Sequence, residues 1–338
     1  MRSTTRRRLL ALATIAAPFL AAGGTAQAAE QPAHSQVSVA YELPGDRVYP
    51  EGITADPYTG DLYTGSGEDG TIFRMRPGHR VAEVFLPAGA DGRTVALGLE
   101  VDQARRLWAI DRSTGVAVYD LPSRRLLARF SPPAKGKSEP LLNDLAIAPD
   151  GTAYITDSFR TVVYRVTPWQ LARARERGRE TPLTPAFDLA GVVDPYEPGK
   201  TVTLNGIVAE QSGRYLLTAD MRGALYRISL HSGGIRKVAL RGGDMSLADG
   251  MELRNGKLWV AHPIIKANAI SRWRVTADGL AALEERRITD QALQLPTNLL
   301  HRRGRLYVVR SQLDKGSIVD PDGGPPRIPF TIASVRGI

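Results

Sequence analysis

The sequence predicts an all-β protein, a six-bladed β-propeller, and three observations carry that expectation. Six segments share one pattern of apolar strand, tight turn and second strand. They open at Glu51 (EGITADPYTGDLYTGS), Leu97 (LGLEVDQARRLWAID), Asn143 (NDLAIAPDGTAYITD), Asn205 (NGIVAEQSGRYLLTAD), Asp249 (DGMELRNGKLWVAH) and Asn298 (NLLHRRGRLYVVR). The openers are 46, 46, 62, 44 and 49 residues apart, and a period in the forties with short strands is the mark of stacked propeller blades. Every second strand carries an apolar–aromatic signature, from Leu62-Tyr63 and Leu107-Trp108 through Tyr154, Tyr215-Leu216 and Leu258-Trp259 to Leu306-Tyr307. One such unit leaves both sheet faces exposed, and a closed ring buries them.

The chain opens on a targeting segment. Arg2, Arg6, Arg7 and Arg8 precede an apolar run from Leu9 to Ala22, and Ala26-Gln27-Ala28 is a small-residue cleavage site. Residues 1–28 are therefore expected to be a signal peptide, with a twin-arginine character in Thr5-Arg6-Arg7-Arg8-Leu9-Leu10, and residues 29–338 the propeller. The mature protein would be secreted, with no membrane attachment once the signal is removed, because no later stretch is long and apolar enough to span. Removing residues 1–28 lowers the formal charge from +9 to +5. The remaining Lys and Arg are scattered, without the basic stripe or aromatic–basic motif of a nucleic-acid binder. No cysteine is present. Thiol catalysis and zinc–thiolate sites are thereby excluded, and an exported chain without disulfides must rely on its core.

Val37 to Leu43 (VSVAYEL) reads as a strand ahead of the first blade. The sixth copy lacks an outer strand of its own, so the N-terminal strand is expected to complete it beside Thr331 to Val335. Third strands are legible at Ile72-Phe73-Arg74, Val118-Tyr119, Val163-Tyr164-Arg165 and Leu225-Tyr226-Arg227. The long third interval has a local cause. Pro168 to Glu180 (PWQLARARERGRE) lacks strong strand formers after its start and reads as an inserted helical turn or two, and Val192 to Lys200 reads as loop. Pro132 to Lys137 and Pro321 to Pro329 are further loops. Gly after Asp, Asn or Ser suits the hairpins, because it takes positive φ at little cost.

In a propeller the first strand of each blade lines the central channel, so the openers converge on the axis. Five of the six are polar: Glu51, Asn143, Asn205, Asp249 and Asn298. Two carboxylates and three amides form a set of hard oxygen donors suited to a divalent cation. Two carboxylates neutralise its charge; without it, their repulsion would hold a proton on one of them. No histidine stands at these positions, which argues against Zn²⁺ or Cu²⁺; the expected ion is Ca²⁺, with Mg²⁺, Mn²⁺ and Zn²⁺ as alternatives. The expected fold is thus a six-bladed β-propeller with a central metal-binding channel.

The motifs Pro50-Glu51-Gly52, NDLAIAPDG (Asn143 to Gly151), LNGIV (Leu204 to Val208) and ADGM (Ala248 to Met251) together resemble the senescence marker protein, gluconolactonase and luciferin-regenerating family of six-bladed propellers. The resemblance spans nearly the whole mature chain. It implies metal ligands at Glu51, Asn205 and Asp249, a substrate-side or outer metal contact at Asn143, and Asp249 as general base in metal-dependent hydrolysis of a lactone or related ester. Asn298 is expected to supply a further oxygen near the metal. The family's sugar lactonases often carry Arg two residues before the Asn that matches Asn143. Leu141 stands there, and with Leu97 it points to a more apolar small-molecule substrate. A monomer is expected. A non-catalytic binding propeller stapled by Ca²⁺, or a metal-dependent lyase or isomerase, would use the same frame.

Other residues have plainer roles. Asp111, Asp157 and Asp220 end second strands and are expected to bond the following turns. His262, after the fifth second strand, and His301, in the strand after Asn298, have a base or proton-shuttle role open to them, with ordinary solvation the commoner expectation. No G-x-S-x-G elbow, phosphate loop or dinucleotide fingerprint is present.

Overall fold

A computed structural model describes residues 36–338 apart from 113, 135–137 and 179. The expected signal peptide lies outside the described residues. The strands form six antiparallel-cored sheets arranged as successive blades of a propeller. Blade one contains Pro50–Ala55, Leu62–Ser66, Ile72–Met75 and Glu83–Leu86. Blade three contains Leu142–Ile147, Ala153–Asp157, Val162–Val166 and Thr184–Asp188. The innermost strands of the other four are Leu99–Val101, Leu204–Ala209, Met251–Arg254 and Pro296–Arg302.

The ring closes as the sequence predicts. Gln36–Leu43 runs antiparallel to Phe330–Arg336, pairing Val37 with Val335 and Leu43 with Phe330. The first strand of the described chain is therefore the outermost strand of the last blade. The four third strands named from the sequence are all present. Blade five also has one, Ala269–Val275. Its Trp273-Arg274 pair lies too far from the aromatic–basic ending of the other copies to be matched by pattern.

The core is divided among the seams between neighbouring blades. Tyr63, Ile72 and Phe85 of blade one meet Leu107 and Tyr119 of blade two. Trp108 and Phe130 meet Ile155 and Tyr164 at the next seam. Tyr41, Ile53, Phe73 and Phe330 close the last blade on the first. The repeated aromatic of the second strand is thus a seam residue. Each fully buried side chain of this size contributes on the order of 2 kcal/mol, and that accounts for a stable ring without cysteines.

The insertion after blade three's third strand is the helix Pro168–Arg177. Thr167 Oγ1 accepts from Gln170 N at 3.2 Å, and Gln170 Oε1 accepts from Thr167 N at 2.7 Å, a reciprocal cap. Pro168 opens the helix and Gly178, at φ +60°, ends it. Leu171 and Ala174 are buried in the blade two–blade three seam. The chain then adds Thr181–Pro182 in parallel to the outer strand Leu126–Ser131 of blade two before returning to blade three. Val192 to Lys200 contains no strand, in keeping with its two prolines.

Candidate functional site in the central channel

The openers are brought to the axis by a repeated backbone device. In blade one, Pro50 pairs with Ser66 and the next pair is Ile53 with Thr64, so two residues, Glu51 and Gly52, oppose one. The same bulge holds Asn143 and Asp144 between Leu142 and Leu145, and Asn205 and Gly206 between Leu204 and Ile207. A bulge frees the inner residue from the ladder and re-aims its side chain. In blades two and five the regular strand starts only beyond the opener, at Leu99 and Met251.

Glycine after the opener permits close approach of adjacent blades. A Cβ at Gly52 would lie 2.3 Å from Leu97 O, and one at Gly206 2.1 Å from Asp249 O. Gly98 N donates to Asn143 O at 3.1 Å, and Gly250 N to Thr297 O at 2.7 Å. Thr297 Oγ1 donates to Glu51 O at 2.8 Å and ties the last inner strand to the first.

This register places Asn298 differently from the alignment. The blade-six bulge holds Thr297 and Asn298 between Pro296 and Leu299, so Thr297 is the structural counterpart of Glu51, Asn143 and Asn205. Asn298 instead occupies the position that is glycine in four blades and Asp144 in blade three. The two residues behave alike: Asp144 Oδ1 accepts from Leu145 N at 2.9 Å, and Asn298 Oδ1 from Leu299 N at 2.7 Å. Matching the Leu-Leu run that follows Asn298 to the other strands shifts the alignment by one residue.

Glu51, Asn205 and Asp249 are all nearly buried, at 8 %, 3 % and 7 % exposure. Burial pushes the Glu51 carboxyl well above the usual carboxylate range, and the charges of Asp249 and Asp144 push it further. Asp249 is likewise raised by burial and then by Asp144, against the opposing effect of a hydrogen bond from Asn205. Burial raises Asp144 to about 7, against hydrogen bonds from Leu145 N and Ile207 N.

Beside these carboxylates lie oxygens without donors. Glu51 Oε2, Asn143 Oδ1 and Asn205 Oδ1 are buried and have no hydrogen-bond partner among the described residues. The amide nitrogens fix the orientation: Asn143 Nδ2 donates to Ser158 Oγ at 3.3 Å, and Asn205 Nδ2 faces Met221 Sδ at 3.2 Å. Ser158 Oγ in turn donates to Leu204 O. Leaving a buried oxygen unpaired costs about 1–3 kcal/mol, and three together in an acceptor-rich pocket suit a hard cation. Among the described residues no three His, Asp or Glu side chains form a metal cluster. The fitting set is therefore two carboxylates with amide oxygens.

The residues two places ahead of the structurally matched openers are Tyr49, Val95, Leu141, Thr203, Leu247 and Leu295. Leu247, 39 % exposed, and the half-buried Val95 and Leu141 give this rim an apolar character. Neither histidine is ordinarily solvated. His262 is fully buried: its Nδ1 bonds Ser246 O at 2.9 Å and its Nε2 bonds Ser271 Oγ at 2.7 Å. Trp273 Nε1 donates to the same hydroxyl at 2.7 Å. Since a carbonyl only accepts, Nδ1 carries a proton, and burial lowers the pKa of the ring to about 4, which favours its neutral form. His301 pairs with Glu252 through Nδ1 and Oε2 at 2.5 Å and packs on Trp259. Asp111, Asp157 and Asp220 hold the turns as expected; Asp157 Oδ1, for instance, accepts from Phe159 N at 3.1 Å and Arg160 N at 3.0 Å.

Asp144, Glu100 and Glu252 are channel residues that the opener pattern omits. Their signal was present in the sequence, as acids interrupting the apolar strands NDLAI, LGLEV and GMEL.

No family model and no curated protein matches the sequence. Solved structures do match it. A gluconolactonase from Xanthomonas campestris aligns with 90 % of this chain and 90 % of its own, at TM-score 0.59 and 15 % identity. Virginiamycin B lyase from Staphylococcus aureus aligns with 89 % of this chain and 99 % of its own, at TM-score 0.56 and 13 % identity. At these identities the likeness establishes the propeller frame, and that frame hosts more than one chemistry.

Proposed function

We propose that this protein is an exported, divalent-metal-dependent hydrolase of a small lactone or related ester, with residues 1–28 directing export. The observation that carries the reading is the trio of buried, donorless oxygens on Glu51, Asn143 and Asn205 beside the raised carboxylates of Glu51 and Asp249. Glu51, Asn205 and Asp249 would hold the ion, most favourably Ca²⁺, and Asn143 would stand toward the substrate. A bound divalent ion polarises a carbonyl and acidifies nearby water. Asp249 is the general base of this reading. The Leu141, Val95 and Leu247 rim favours an apolar lactone over a polyhydroxylated one.

A panel of lactones and esters assayed with and without chelator, on wild type and Asp249→Asn, tests the proposal. Expected is chelator-sensitive turnover that is at least a hundredfold lower in the variant. Undiminished turnover in chelator, or in a folded Asp249→Asn protein, would overturn it.

A further inference from the structure

In blades one to six the second strand ends on Ser66, Asp111, Asp157, Asp220, His262 and Arg310. The sheet ladders confirm that these positions correspond. Asp157 stands opposite Leu142, Asp220 opposite Leu204 and Arg310 opposite Pro296, each at the start of an inner strand. In blades two to four a carboxylate at this place accepts backbone N–H groups. Asp111 Oδ2 accepts from Thr94 N at 2.7 Å, Asp157 Oδ1 from Leu141 N at 3.1 Å, and Asp220 Oδ1 from Arg222 N at 3.0 Å. Blade six puts a cation where those blades have an anion, and a guanidinium cannot accept a hydrogen bond.

The Arg310 guanidinium is buried without a counter-charge. The residue is 5 % exposed. Its one hydrogen bond among the described residues runs from Nη1 to Thr331 Oγ1 at 3.2 Å, and its Nε is buried with no partner. Asp290, the acid whose charge acts on it most, forms no ion pair with it and accepts from Ala292 N through Oδ1 at 2.8 Å. The next charge is Arg327, which has the same sign. Gln312, itself 3 % exposed, fixes the Arg327 backbone: it accepts from Arg327 N at 2.8 Å and donates to Arg327 O at 2.9 Å. An arginine does not shed its proton at physiological pH, so the charge persists, and an unpaired buried charge is costly. The Thr331 hydroxyl accepts from Arg310 and donates to nothing among the described residues, which leaves a second donor free at the same place.

We infer that Arg310 and Thr331 bind a small monovalent anion of the halide class, which takes the place that a carboxylate fills in blades two to four. Arg310 Nε and the Thr331 hydroxyl donate to it, and the exposed Arg327 adds positive charge from the solvent side. Burial favours a monovalent ion, because a divalent one carries a larger desolvation penalty. The ion ties the end of the second strand to Phe330–Arg336, the strand that closes the ring and contains Thr331. This site is independent of the hydrolase reading, because none of its residues belongs to the proposed metal set or is the proposed base.

Thermal unfolding in sodium chloride and in sodium gluconate at equal ionic strength tests the inference, since gluconate is too large for the site. Chloride is expected to raise Tm saturably by about 2–4 °C over gluconate, and Arg310→Gln to remove that difference. A wild-type crystal soaked in sodium bromide is expected to show an anomalous peak between Arg310 Nε and Thr331 Oγ1. Equal Tm in the two salts, a chloride effect that survives Arg310→Gln, or no bromide peak at that place would overturn the assignment. The salt comparison and the bromide measurement on wild type stand even if the variant folds poorly.

Discussion

His262 provides a quantitative test of how the blades are packed. It is fully buried in a chain of hydrogen bonds from Trp273 Nε1 to Ser271 Oγ, to His262 Nε2, and from Nδ1 to Ser246 O. Burial lowers its pKa from 6.5 to about 4. The unfolded chain therefore binds more protons than the native one between these values, and stability from this group is present above pH 6.5 and lost as pH falls toward 4. Between pH 7 and pH 5 the loss amounts to ~2 kcal/mol, and to about 3 kcal/mol once pH is below both values. The raised carboxyls of Glu51, Glu100, Asp144 and Asp249 contribute with the opposite sign. They are common to wild type and variant, so they cancel in a difference. His262→Gln should cost about 1–3 kcal/mol at pH 7 through lost hydrogen bonding, and urea denaturation should show the gap to wild type shrinking by ~2 kcal/mol at pH 5. A gap of the same size at both pH values would refute the description of His262 as a buried neutral ring.

Three further outcomes follow from the ring geometry. Gly206→Ala places a Cβ 2.1 Å from the backbone oxygen of Asp249. It should destabilise by about 1–3 kcal/mol or more, read as a lower urea midpoint, and weaken any metal binding that depends on Asp249. Deleting residues 1–43 removes the strand Gln36–Leu43, with the buried Tyr41 and Leu43. At roughly 2 kcal/mol per buried side chain, plus the lost ladder, the ring should fail to unfold cooperatively in calorimetry. Leu141→Arg should shift selectivity toward polyhydroxylated lactones by roughly tenfold in kcat/KM, provided the rim contacts the substrate; unchanged selectivity would remove Leu141 from the binding surface.

The blade plan was legible in the sequence because each repeat repeats its physics: Glu51-Gly52, Asn205-Gly206 and Asp249-Gly250 each join a channel residue to a glycine that lets the next blade approach. Closure by Val37 to Leu43 was legible because an unpaired strand and an incomplete blade stood at opposite ends of the described chain. The register of blade six was not, because the placement of Asn298 depends on a bulge between Pro296 and Leu299 that apolar patterning does not encode. The meeting of Glu100 with Glu252 in the channel was hidden for a related reason. Glu100 and Glu252 are distant in sequence and come together only when the inner strands of blades two and five face the same axis. His262 was underestimated because its partners, Ser246 and Ser271, are ordinary serines until folding surrounds the ring with them.

The most direct test of the central claim is calcium binding by equilibrium titration on the mature wild-type protein and on Asp249→Asn and Asn205→Leu. The opener ring predicts one tightly held ion per chain, lost or weakened at least a hundredfold in both variants while the variants remain folded. No bound ion at millimolar calcium, or an affinity indifferent to both substitutions, would contradict it.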